Sequence, residues 1–153
     1  MRRWLFFALA AIVLPGGMAA RADDGARIVF YRMYHIDNDG AKYRIRIGDS
    51  DVGAVADGDG TVIHVPAGAV VFKIDAPRTL GHLDFPMTLE SGKTYYVALA
   101  AKPGSSRATD FDEQLGQSDV KPNATCGGDW CAATVPEKDA MVDFKAIRFT
   151  PPP

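Results

Sequence analysis

Apolar residues recur with a period of two along most of this chain, and long stretches of period 3.6 are missing, so strands dominate the expected structure. Residues 26–34 (ARIVFYRMY) are β-branched and aromatic, and partly apolar on both faces, which predicts a central strand. Residues 42–47 alternate cleanly. Tyr43, Ile45 and Ile47 point one way, and Lys42, Arg44 and Arg46 the other, as in a strand with one wet face. Shorter strands follow at 52–56 and 61–65, separated by the turn Asp57-Gly58-Asp59-Gly60. Residues 69–75 place Val70, Phe72 and Ile74 on one face. Leu83, Phe85, Met87 and Leu89 alternate with polar neighbours, and Pro86 among them predicts an edge strand or a broken one. Residues 94–101 give a strong strand through Tyr95, Val97 and Leu99. Residues 142–149 predict a closing strand. Its apolar phase slips between Ala146 and Ile147, so a β-bulge is expected there.

Strands this short, with a turn every eight to twelve residues, predict an all-β fold, a small Ig-like β-sandwich of about 7–8 strands. An open barrel is the alternative. Residues 102–140 break the rhythm, with no clear strand and at most one helical turn at 111–115. The expected domain therefore spans 23–150, with a disulfide-bearing loop excursion at 102–140 before the last strand and a loose tail at 151–153. Loops of this length are often functional. Phe111, Leu115 and Trp130 are its candidate anchors and contact residues.

The first 22 residues change the picture of compartment. Arg2 and Arg3 precede an apolar run from Trp4 to Leu14, Pro15-Gly16-Gly17 breaks it, and Ala20-Arg21-Ala22 supplies small residues. This layout predicts a secretory signal peptide cleaved before Asp23. An uncleaved anchor is the rival, but the run falls short of the roughly 20 apolar residues of a span. No cysteine lies nearby to take a lipid. The mature chain is expected to be periplasmic or secreted. Losing Arg2, Arg3 and Arg21 leaves 14 basic side chains of the 17, against 19 acidic ones, a formal charge of −5. That argues against nucleic-acid binding and against an anionic membrane surface.

Cys126 and Cys131 are the two cysteines, and an oxidising compartment predicts that they pair. The spacing departs from that of redox dithiols, and none of His35, His64 and His82 is near enough in sequence to complete a metal site.

Several phrases resemble a known family. They are Ala26-Arg27-Ile28-Val29-Phe30-Tyr31-Arg32, Ile45-Arg46-Ile47-Gly48-Asp49-Ser50-Asp51-Val52-Gly53, His64-Val65-Pro66-Ala67-Gly68 and Leu89-Glu90-Ser91-Gly92-Lys93-Thr94-Tyr95-Tyr96-Val97. Their order resembles the bacterial domain of unknown function 2846 (DUF2846), and similar phrases occur in surface modules named for a Pro-Glu-Gly-Ala motif. The resemblance covers roughly 26–101. It implies a secreted or lipid-anchored, PEGA-like β-domain of Gram-negative bacteria and no activity. The chain departs from it in lacking a lipid-attachment cysteine and in adding the cysteine-bearing excursion.

Candidate chemistry is sparse. Asp37-Asn38-Asp39-Gly40 and Asp57-Gly58-Asp59-Gly60 resemble calcium loops, but their twelfth positions, Gly48 and Gly68, lack the required Glu. No nucleophile elbow and no metal-binding helix motif occurs. The Lys42-Arg44-Arg46 stripe is either a solvated strand face or an anionic-ligand surface. No catalytic, cofactor-binding or metal residue is assigned. The first expectation is a non-enzymatic binding or interaction module of the cell envelope, with a protein or glycan partner. Behind it stand a small-ligand carrier with an inter-sheet pocket lined by Phe72, Phe85 and Tyr95, and an enzyme without a recognisable motif.

Overall fold

The computed structural model describes residues 25–33, 42–76, 81–101, 124–128 and 130–153. The segment 1–22, His35, the Asp37–Gly40 turn, Phe111 and Leu115 lie outside the described residues.

Nine strands and a helix form among the described residues: β1 Gly25–Arg32, β2 Tyr43–Ile47, β3 Ser50–Val55, β4 Gly60–Pro66, β5 Gly68–Asp75, β6 His82–Leu89, β7 Thr94–Ala101, β8 Thr125–Gly127, β9 Trp130–Val135 and α1 Glu137–Ile147. They make a five-stranded sheet in the order β4-β1-β7-β9-β8 and a four-stranded sheet in the order β3-β2-β5-β6. The two pack face to face as a sandwich. In β6, Leu83, Phe85 and Leu89 are buried, while His82, Asp84, Pro86 and Thr88 are exposed. β6 is an edge strand, where the N–H that Pro86 lacks is least needed.

β1 is central, antiparallel to β4 and parallel to β7, with Arg27 opposite Thr94 and Arg32 opposite Leu99. Its two faces serve two cores. Ala26, Ile28 and Phe30 join Ile45, Phe72, Phe85, Val97 and Leu99 between the sheets. Phe30 meets Phe72 edge-on at 5.1 Å. Val29 and Tyr31 join Tyr96, Ala98, Ala133 and Val135 on the other side, under Ala140 and Phe144 of α1.

Two sequence expectations are corrected. Residues 142–149 hold the end of a helix, not a closing strand with a bulge. Pro136 stands at the N-cap, Glu137 and Asp139 place negative charge in the first turn, and Arg148 ends the helix in the left-handed conformation. The apparent slip in phase is helical spacing, which puts Ala140, Phe144 and Ile147 on the sheet. The excursion 102–140 likewise contains β8, β9 and the start of α1, and the disulfide lies within the β8–β9 hairpin. Five of the six residues of β9 are buried. A strand covered on both faces shows no alternation to read.

One contact reaches the tail, and another lies just before it. The Arg27 guanidinium donates to the Pro152 carbonyl. Phe149 lies over Gly60, where a Cβ would come within 2.6 Å of its ring.

Candidate functional site

The pairing registers gather one set of strand ends. β1 ends at Arg32, β2 starts at Tyr43, β5 ends at Asp75, β6 starts at His82 and β7 ends at Ala101, all at the same end of the sandwich. The residues flanking 34–41 and 77–80, and the strand end that precedes 102–123, therefore share it. Connections at one end of a rigid sandwich are the usual place for binding function.

A charged node sits beneath that end. Arg32 has the parity of Ile28 and Phe30, so its side chain points between the sheets. It is 6 % exposed. Its guanidinium pairs with the Asp57 carboxylate at 3.2 Å, with both side chains almost fully buried. It also lies 4.6 Å from the centre of the Tyr43 ring and 4.7 Å from that of Trp130. Those two rings meet edge-on at 4.8 Å. A guanidinium suits this place because its flat face stacks on aromatic rings while its edge meets a carboxylate. The Arg32 N–H donates to the Asp59 carbonyl at 3.0 Å, and the Gly60 N–H to the Asp59 Oδ1 at 2.7 Å. Arg32 thus binds the Asp57–Gly60 turn to the two sheets.

Of the three candidate contact residues, Trp130 is the one among the described residues. It is 4 % exposed and anchors the β8–β9 hairpin in the inter-sheet core. Beside it, Cys126 and Cys131 stand directly opposite each other across the hairpin and are bonded. Gly127 has a packing role. A Cβ there would come within 2.4 Å of the His82 carbonyl oxygen, so the bare backbone is what lets β8 close against β6. Tyr43, Ile74, Gly81, Leu83, Leu99 and Trp130 border a cavity of about 10 Å³ at this seam, the size of one water.

Other sequence candidates disperse. Arg44 pairs with Asp51, and Arg46 with Asp75 at 2.7 Å, so acidic neighbours offset the basic stripe. His64 and His82 are exposed on strands of different sheets. Asp57, the first residue of the second calcium-like turn, is committed to Arg32. No group of three or more His, Cys, Asp and Glu side chains able to hold a metal forms among the described residues. No described helix is long and apolar enough to cross a membrane. An open groove of about 300 Å³ runs over Ala69–Val71 and Pro86–Thr88. No protein-family model matches the chain, and no curated protein matches it.

Under the helix lies a polar pairing that sequence reading missed. The Tyr31 hydroxyl donates to Asp143 Oδ2 at 2.7 Å, and that of Tyr96 to Glu137 Oε1 at 3.3 Å. Burial, then the Asp143 hydrogen bond, holds the Tyr31 phenol far above its ordinary range. Burial also pushes the Asp143 carboxyl up, and the Asp139 charge adds to it. The bond from Tyr31 opposes both. The one available signal for Arg32 was parity, a cation on the inward side of an apolar strand. Asp143 gave none while 142–149 was read as a strand.

Proposed function

We propose that this chain is a non-enzymatic interaction module of the bacterial cell envelope, exported and disulfide-bonded. It engages a protein or glycan partner through the end of the sandwich where the connections converge. The observation that carries this reading is the buried Arg32–Asp57 pair with its Tyr43 and Trp130 walls, which makes that end a rigid base. The charged, apolar and small regions of residues 1–22 and the paired cysteines support an extracytoplasmic setting. The resemblance of the strand and turn phrases to the domain of unknown function 2846 supports a Gram-negative envelope. Nothing favours the carrier over this reading. Phe72 and Phe85 are packed within the core, and the enclosed space at the seam holds about 10 Å³.

The test is crosslinking in intact cells at native expression, read by mass spectrometry. The chain is compared with a variant in which 104–121 is replaced by a short Gly-Ser connection, leaving β7, β8 and β9 whole. One dominant envelope partner, lost in the variant, is the expected result. A partner retained by this variant and by variants with 34–41 or 77–80 likewise replaced refutes the assignment to this end.

A further inference from the structure

We propose that the Cys126–Cys131 disulfide is a redox-sensitive clasp on the seam between the two sheets, opened by thiol–disulfide exchange with a dithiol donor. The inference stands whatever partner the end of the sandwich contacts.

Three observations carry it. The two sulfurs are unequally placed: Cys126 is exposed, whereas Cys131 is 2 % exposed in the layer beneath α1. The exposed side of the bond is the Cys126 side, from which a donor thiolate would approach. Next, β8 has little strand pairing to hold it besides the bond. It has three residues and, among the described residues, lies at the sheet edge and pairs with β9 alone. Finally, β8 closes the seam, since Gly127 abuts the His82 carbonyl and Gly81 approaches Gly128. Leu83, Leu99 and Trp130 lie directly behind that contact. A staple whose sole task was to stabilise the fold would gain little here, because closing so short a loop removes little chain entropy.

The exchange balances as follows. A donor thiolate attacks the Cys126 sulfur, the Cys126–Cys131 bond breaks, and Cys131 leaves as a thiolate that takes up a proton. The donor's second thiol then attacks the mixed disulfide as its thiolate. It releases Cys126, which is protonated in turn, and the donor becomes a disulfide. This chain gains two electrons and two protons, and the donor loses them. Freed of the bond, β8 parts from β6 and uncovers the apolar edge at Leu83 and Trp130.

The experiment uses the exported, disulfide-bonded protein with Trp4→Phe, so that Trp130 is its one tryptophan whether or not residues 1–22 remain. Dithiothreitol is added without denaturant at neutral pH, and samples are quenched with an alkylating agent for intact mass. Hydrogen exchange and tryptophan emission are read in parallel. The expected result is rapid reduction, with exchange at 124–128 accelerated about tenfold or more. Trp130 emission shifts to the red, while exchange in β1 and β7 and the far-ultraviolet circular dichroism stay unchanged. A Cys126→Ser/Cys131→Ser variant should show the same loosened hairpin without reductant. Glutathione trapped on Cys126 and not on Cys131 would establish the order of attack. Three results overturn the proposal: a disulfide that yields only under denaturant, a reduced protein with unchanged Trp130 and hairpin, or a reduced protein that unfolds throughout.

Discussion

Toward the second sheet, the five-stranded sheet presents Ile28, Phe30, Val97, Leu99 and Ala132. Toward α1 it presents Val29, Tyr31, Tyr96, Ala98 and Ala133. The first face is sealed by hydrocarbon and by Phe30 against Phe72. The second is sealed by one amphipathic helix, whose Asp143 and Glu137 accept hydrogen bonds from two tyrosines rooted in the sheet. Sheet-on-sheet packing excludes water over a broad area through apolar side chains. A single helix cannot cover its face so widely, so a polar pairing fixes its position and brings a titrating group with it.

Truncation should separate the two faces most sharply. Phe30→Ala opens a cavity in the inter-sheet core and should cost about 3–5 kcal/mol, read by urea unfolding. Asp57→Ala, at the rim of the same core, leaves the Arg32 guanidinium buried without its carboxylate and should cost about 3–5 kcal/mol as well. Restoring an apolar pair with Arg32→Met and Asp57→Leu together should recover much of that loss. Gly127→Ala forces β8 away from β6 and should cost about 1–3 kcal/mol. Gly48→Ala, where nothing lies within 4 Å of the added carbon, should cost less, from its positive φ alone.

The smallest effects belong to the helix face. Tyr31→Phe should cost about 1 kcal/mol. The pH dependence has a definite sign. The Asp143 carboxyl is raised in the folded state, so the fold binds its proton more tightly than the unfolded chain does. Its contribution to stability is therefore fullest below the ordinary carboxylate range, and declines as pH rises through the raised value. Asp143→Asn should remove that decline. Unfolding free energies of the two proteins, compared from acid to neutral pH, should diverge in favour of the variant. A constant difference across the range would refute the assignment.

Much of the four-stranded sheet was legible because each of its strands has one wet face. Lys42, Arg44 and Arg46 against Tyr43 and Ile45, or His82 and Asp84 against Leu83 and Phe85, spell out the alternation directly. The five-stranded sheet was harder to read, since its middle strands are covered on both sides. β1 survived on β-branched and aromatic content. β9 did not, because Ala132 and Ala133 carry no strand signature and no polar face marks them. The helix was mistaken for a strand because a short window containing Val142, Phe144 and Ala146 fits both periods. Ala140, Phe144 and Ile147 decide between them only once the sheet they cover is known. Gly60 reads as a turn residue, whereas its use, like that of Gly127, is clearance, for Phe149 and for the β6 backbone respectively. Clearance depends on a neighbour distant in sequence, so no local pattern announces it.

The parallel pairing of β1 with β7 has a consequence for how the chain is made. Residues 25–32 leave the ribosome early, yet one neighbour is not synthesised until residue 101, and the helix over their second face comes later still. Throughout that interval a strand apolar on both sides waits without its cover. Long-range pairings of this kind slow folding and leave sticky intermediates. GARIVFYR is thus the segment a holding chaperone would grip, and it should be the last to shed one.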